Sequence, residues 1–109
     1  MSSAQGGFQV SYTRQAQDDL LRLYDFLLAR ARHSEDLARA QEVIDQLREH
    51  VERRLSQTPH LYRHPLGNPH LRELVVAAPG AGYVALYDIT DSRKVTVIAV
   101  RHQLEDDYL

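Results

Sequence analysis

The sequence contains no cysteine and no tryptophan. Without cysteine the chain can form neither a disulfide framework nor a thiolate metal site, which suits a reducing cytoplasm. Its longest apolar run extends from Leu74 to Ala78, far short of the ~20 residues that span a bilayer. The opening residues, MSSAQGG, lack the basic and apolar regions of a signal peptide. We therefore expect a soluble, cytoplasmic protein without membrane contact.

Basic charge is also scarce, because 13 Lys and Arg stand against 15 Asp and Glu and give a net charge of −2. Proteins that neutralise phosphates usually carry a basic excess, so direct DNA binding by this chain alone is not expected. The sequence has no glycine-rich phosphate loop and no serine-nucleophile motif. Four histidines do not have the spacing of a metal site, and we predict neither a metal nor a cofactor. They are His60, His64, His70 and His102.

A chain of 109 residues has room for one domain. We predict a flexible N-terminus, residues 1–7, and a single domain over residues 8–109. Phe8 to Tyr12 alternate apolar and polar side chains, which is typical of a half-buried strand. Three further strands are predicted at residues 71–77, 83–89 and 94–100. The last is apolar on both faces except at Thr96, which indicates a central, buried position.

Two helices are predicted between the first strand and the other three. Thr13 and Ser34 are expected to cap their N-termini, with Asp18 and Asp19 early in the first helix and Glu35 and Asp36 in the first turn of the second. The second helix should end near Gln57, because Pro59 disfavours helical geometry in the residue before it. A short connection makes the pair an antiparallel hairpin. The predicted class is α+β: an N-terminal strand, the helical hairpin, then a three-stranded antiparallel meander completing one sheet.

The first predicted helix is apolar over almost half of its circumference. One stripe includes Leu20 and Leu23, and a second stripe, about 100° further round, consists of Leu21, Tyr24 and Leu28. One interpretation is that the first stripe packs on the sheet and the second on the next helix. The other is that part of the second stripe binds a partner.

Four short motifs occur in a fixed order along the chain. They are AQDDL followed by YDFL in the first helix, LREL from Leu71, YVALY from Tyr83, and VRHQ from Val100 with acids after it. In this order they resemble the RelE/ParE superfamily of bacterial toxins from type II toxin–antitoxin modules. The resemblance extends over most of Phe8 to Tyr108.

The resemblance implies a growth-inhibiting toxin, of the kind associated with plasmid stabilisation, that a cognate antitoxin neutralises. RelE-like members cleave messenger RNA on the ribosome, whereas ParE-like members poison DNA gyrase. We favour ParE-like action on gyrase. Val84 follows Tyr83 where RelE-like members carry a catalytic arginine, Leu104 replaces an arginine common in the family's tail, and the acidic terminus would repel RNA. The antitoxin is expected to contact the stripe of Leu21, Tyr24 and Leu28.

Two alternatives remain open, and with them the question of whether the chain is an enzyme. In a RelE-like, metal-independent ribonuclease on ribosome-bound message, the acid–base and charge-stabilising groups would be Arg72, Tyr87, Arg101 and His102. Arg72 begins one strand and Arg101 ends another, so the two could meet across a sheet edge. His102 can equally be a structural residue. The second alternative is a non-catalytic binding or self-associating module that uses the helical stripe.

Overall fold

The chain folds as one strand, two helices and three further strands, so the predicted α+β class and element order are confirmed. The computed structural model describes residues 7–78 and 81–103. The elements are β1 (Gln9–Tyr12), α1 (Arg14–Ala29), α2 (Ser34–Gln57), β2 (Arg72–Ala78), β3 (Ala81–Asp91) and β4 (Lys94–His102). Most of the predicted N-terminal segment, residues 1–6, and the acidic end, residues 104–109, lie outside the described residues.

The four strands form one sheet in the order β1-β4-β3-β2. β2, β3 and β4 are antiparallel neighbours, and β1 joins the far side of β4 in parallel after the chain has crossed the helical hairpin. The prediction that the last strand is central is therefore confirmed. Its Val95, Val97 and Val100 are almost completely buried, because helices cover one face and strands flank both sides.

The helices pack on one face of the sheet and enclose a single cluster of buried apolar side chains. α1 contributes Ala16, Leu20 and Leu23 at helical spacing, and α2 contributes a longer stripe that ends at Leu55. The sheet contributes the alternate residues that face the helices, including Tyr87 of β3. No helix in the described part of the chain is long and apolar enough to cross a membrane.

The start of α1 follows the prediction, and the start of α2 differs from it. The Thr13 hydroxyl accepts a hydrogen bond from the Ala16 N–H at 3.0 Å, as expected of an N-cap. Ser34, the predicted cap of α2, is instead its first helical residue, and His33 occupies the cap position. The Asp36 carboxylate accepts hydrogen bonds from the backbone N–H groups of the two preceding loop residues. These bonds lower the pKa of Asp36.

Strand bounds also differ where the predicted turns were too long. β3 begins at Ala81 and ends at Asp91, so it is two residues longer at each end than predicted, and Pro79 and Gly80 lie outside the described residues. β4 continues through Arg101 and His102. Both residues therefore belong to the sheet, because they pair with β3 rather than leading into a tail.

Beyond the end of strand β1, the C-terminal half of β4 is hydrogen-bonded by helix α1 and its N-cap. β1 pairs with β4 from Lys94 to Val97. Beyond that point the Thr13 hydroxyl donates to the Ile98 carbonyl at 2.8 Å, and the Asp19 carboxylate accepts from the Val100 N–H at 2.9 Å. Asp19 is 2% exposed, so its carboxylate is not a surface partner of the helix dipole. It accepts the hydrogen bond that a neighbouring strand would otherwise accept from Val100.

Replacing Asp19 by alanine should lower the free energy of unfolding by about 2–3 kcal/mol, because the buried Val100 N–H then loses a charged acceptor. Urea denaturation of the purified chain measures the effect. The matched control is Asp18→Ala on the exposed side of the same helix turn, which should change stability by less than about 0.5 kcal/mol. Equal stability of the two variants would contradict the assigned role.

Candidate functional site

A groove of about 620 Å³ lies between the two helices beside β1. We call it the helical groove. Its lining includes Tyr12 from β1, Leu20, Leu21 and Tyr24 from α1, and Ile44 and Arg48 from α2. Polar side chains of α1 and α2 complete its rim. An apolar floor with a mixed polar rim suits an amphipathic segment of another protein.

The structure divides the predicted binding stripe of α1. Leu21 is 61% exposed at the groove wall, whereas Tyr24 lines the groove but also packs against the buried core. Leu28 is partly buried and lies beyond the groove lining. Tyr24 therefore packs in part internally, as the first interpretation expects, and Leu21 is exposed at the surface, as partner binding would require.

Sequence reasoning missed the polar side of this groove. The Tyr12 hydroxyl donates to Glu52 Oε2 at 2.7 Å, and the guanidinium of Arg48 lies 5.3 Å from the centre of the Tyr12 ring. Burial, followed by the hydrogen bond to Glu52, raises the pKa of Tyr12. The hydroxyl therefore stays protonated and holds α2 against β1. Arg48 and Glu52 are four residues apart and form an ion pair at 3.7 Å, a spacing visible in the sequence.

Two of the candidate catalytic residues, Arg72 and Tyr87, are neighbours across β2 and β3. The Arg72 guanidinium donates to the Tyr62 carbonyl at 2.8 Å and to the His60 carbonyl at 3.2 Å. The Tyr87 hydroxyl donates to the Pro59 carbonyl at 2.5 Å. Tyr87 is fully buried, and burial raises its pKa. Both side chains thus bind the backbone of the segment that follows α2.

The other two candidates lie at the opposite end of the sheet. His102 pairs with Tyr83, and their rings meet edge to face with centroids 5.5 Å apart. Arg101 pairs with Val84 and so points to the opposite face. Its guanidinium hydrogen-bonds the carbonyls of His102 and Gln103.

Arg72 and Arg101, which could have met across a sheet edge, do not meet. Through the β4–β3 and β3–β2 pairings, Arg101 aligns with Val75 of β2. Val75 is three residues along β2 from Arg72, and β4 is two strands away from β2. That offset amounts to about 10 Å in each direction, with the two side chains on opposite faces. An acid–base pair acting on one phosphate needs both groups within hydrogen-bond reach of it. These four residues do not converge on a single point.

The histidines considered as metal ligands are likewise dispersed. His60 contacts the Phe8 ring, the His64 Nδ1 lies 2.7 Å from the Leu71 carbonyl, and His102 is at the far end of the sheet. Among residues 7–78 and 81–103 no group of three or more potential ligands could hold a metal ion.

Residues 10–107 match the family described as the ParE toxin of the type II toxin–antitoxin system parDE. Among solved structures, the chain is similar to one titled "Chromosomal ParDE TA system from P. aeruginosa", with a TM-score of 0.70. The two chains are 15% identical over 90% of this chain and 98% of the other, a likeness that concerns the fold. No curated protein sequence matches the chain at a significant level.

Replacing Tyr87 by phenylalanine should lower the free energy of unfolding by about 1–2 kcal/mol, because the Pro59 carbonyl loses its donor. Thermal or urea denaturation provides the measurement. Tyr83→Phe is the matched control, since burial alone raises the pKa of Tyr83 and no hydrogen bond of its hydroxyl is found within the described residues. If Tyr87→Phe is as stable as the wild-type chain, the hydroxyl does not hold the segment after α2.

Proposed function

The chain belongs to the ParE toxin family of type II toxin–antitoxin systems, and on this basis we propose that it inhibits DNA gyrase. The match over residues 10–107 is the observation that carries the proposal. Membership confirms the superfamily resemblance seen in the sequence and makes the protein the toxin of a two-component module. It also implies a cognate antitoxin as partner. Because gyrase acts on the chromosome, the proposal includes a cytoplasmic location.

The arrangement of the polar side chains supports gyrase over messenger RNA as the target. Metal-independent RNA cleavage needs a base, an acid and a cation around one phosphate. Arg72 and Tyr87 bind backbone carbonyls at one end of the sheet, and Arg101 and His102 lie at the other end on opposite faces. A net charge of −2 gives little general attraction to RNA. Binding to a protein target requires neither feature.

The helical groove is the proposed docking site of the antitoxin. An amphipathic segment that inserts apolar side chains between α1 and α2 would cover Leu21, which is 61% exposed, and would reach the exposed edge of Tyr24. The rim carries both Asp45 and Arg48, so a partner helix with charges of both signs fits it. In this arrangement Leu28 supports the packing of α1 and contributes less to binding.

In a supercoiling assay with purified gyrase, the wild-type chain should inhibit the enzyme, and His102→Ala should inhibit it equally. His102 makes a ring contact at the end of the sheet, which is worth only about 1 kcal/mol of stability. Translation with purified ribosomes is the parallel assay. Cleavage of messenger RNA on the ribosome, lost in His102→Ala or Arg101→Ala, would contradict the gyrase proposal and favour the RelE-like alternative.

Leu21→Asp should weaken antitoxin binding by at least about ten-fold, the effect of losing one buried leucine side chain. Isothermal titration of the purified chain with its antitoxin measures the effect. Leu21 is exposed in the isolated chain, so the variant should melt at the wild-type temperature. A polar residue at Tyr24 would be a poorer test, because Tyr24 also packs against the core.

The matched control is Phe26→Ser, which removes an exposed apolar side chain from the same helix outside the groove lining. It should bind the antitoxin with wild-type affinity. Equal affinity of Leu21→Asp and Phe26→Ser would place the antitoxin elsewhere on the toxin.

A further inference from the structure

Fourteen residues, 58–71, connect α2 to β2. Connections of this length without secondary structure are uncommon in compact domains and usually serve binding or catalysis unless they are disordered. This connection is hydrogen-bonded to the sheet at several points. We call residues 58–71 the connecting loop.

The connecting loop is fastened to the sheet at its base. The Tyr87 hydroxyl binds the Pro59 carbonyl and Arg72 binds the Tyr62 carbonyl. Further along, the Glu73 N–H donates to the Arg63 carbonyl at 2.7 Å. The side chains of Arg63 and Glu73 form an ion pair at 3.1 Å, with Glu73 almost buried. With the bond from Arg72 to the His60 carbonyl, five polar interactions from the sheet therefore hold the first half of the loop.

The tip of the connecting loop is a tight turn. The Asn68 N–H donates to the Pro65 carbonyl at 3.1 Å, and Gly67 has a φ of +81°, a combination typical of a type II turn. This geometry places Leu66 at the outermost position, where it is fully exposed. A leucine so presented gains nothing from the fold, because its side chain is as accessible as in an extended peptide.

The connecting loop also differs in charge from the rest of the chain. Residues 58–71 contain no Asp or Glu, although the whole chain has 15. They contain one arginine and three histidines, and Arg72 follows directly. Arg72 hydrogen-bonds carbonyl oxygens of the loop, which are neutral, whereas Arg63 forms an ion pair with Glu73 of β2. A loop without acidic residues of its own, on an acidic protein, is complementary to a partner rich in carboxylates.

We propose that the connecting loop is the surface with which this toxin engages its protein target, with Leu66 inserted in an apolar pocket bordered by acidic side chains. The inference deepens the proposed function and rests on it for the identity of the target. A tip held in advance by the Gly67 turn loses little conformational freedom on binding, which favours affinity. Burying the Leu66 side chain in the target adds a hydrophobic contribution to the binding free energy that the isolated chain does not gain.

The position of the loop separates it from the proposed antitoxin site. The helical groove is lined by α2 as far as Arg48, and the loop starts after Gln57. The loop contributes no residue to the groove lining, and its residues Leu61 to Arg63 border α2 at His50 and Arg54 instead. An exposed leucine at the tip also favours a protein pocket over a phosphate backbone, which binds charge and donors rather than aliphatic side chains.

The test compares Leu66→Ser and Leu66→Met with the wild-type full-length chain in gyrase supercoiling. Leu66→Ser should require at least about ten-fold more toxin for the same inhibition, as expected for one lost buried leucine. Leu66→Met should stay close to wild type. Both should retain the wild-type melting temperature and antitoxin affinity. The matched control, Leu37→Ser, removes an exposed leucine of α2 and should inhibit like the wild-type chain.

Wild-type inhibition by Leu66→Ser would overturn the inference, as would equal loss in Leu37→Ser. If Leu66→Ser melts early, Leu66→Gln repeats the test with a polar side chain of similar length. A gel-shift measurement without gyrase tests for direct DNA binding. If the toxin retards plasmid DNA there, and Leu66→Ser both retards the DNA and inhibits supercoiling as the wild-type chain does, the loop is not a protein-docking surface.

Failure of the gyrase proposal has a different signature, because the wild-type chain itself would then leave supercoiling unchanged. The same variants are then compared by growth inhibition after induction in cells. Growth restored by Leu66→Ser, with antitoxin binding retained, would support the loop as the surface that engages whichever protein is the target. Growth inhibition equal to wild type would overturn it.

Discussion

The hydrogen bond between the Asp19 carboxylate and the Val100 N–H determines how the two layers of this protein meet. β4 is an inner strand, but β1 accompanies it only as far as Val97. Beyond that point a buried backbone N–H without a partner would cost a large share of the stability of a small domain. Because α1 provides the acceptor, its position over the sheet is set, and with it the wall of the helical groove. Asp19 lies in the AQDDL motif that carried the family resemblance.

The need to satisfy backbone hydrogen-bonding groups also explains the polar residues at the ends of the sheet. Arg72 and Tyr87 have the chemistry of catalytic groups, yet both are engaged with carbonyls of the connecting loop. Their partners are backbone atoms because a long loop on a sheet edge leaves carbonyls that must be satisfied. Two branches of one superfamily can therefore share this scaffold and differ in activity, since activity depends on which side chains remain available and where they converge.

The two proposed binding surfaces differ in their chemistry. The helical groove is an apolar depression with acids and bases on its rim, whereas the connecting loop has no acidic residues and carries the fully exposed Leu66 at its tip. A depression suits a segment that folds as it binds, and a rigid projection suits a pocket already formed in a folded partner. Because the loop contributes no residue to the groove lining, neutralisation and toxicity can depend on different residues.

Local sequence patterns were sufficient to predict the elements, their order and the family. Apolar periodicity predicted both helices and all four strands, Thr13 was recognised as a cap, and the apolar character of residues 95–100 placed β4 at the centre of the sheet. These features depend on local spacing and are readable residue by residue. The cap of α2 was misplaced by one residue because Ser34 and His33 both stand before an acidic turn and only backbone geometry separates them.

Which polar residues meet depends on the three-dimensional arrangement of the strands and helices. Arg72 and Arg101 each stand at a strand end in the sequence, but strand order and register separate them and put them on opposite faces. Tyr87 and Pro59 are 28 residues apart and form a direct hydrogen bond, and Asp19 and Val100 are 81 apart. The exposure of Leu66 depends on the φ of one glycine. Register and long-range pairing result from the joint packing of all elements, so no local pattern carries them.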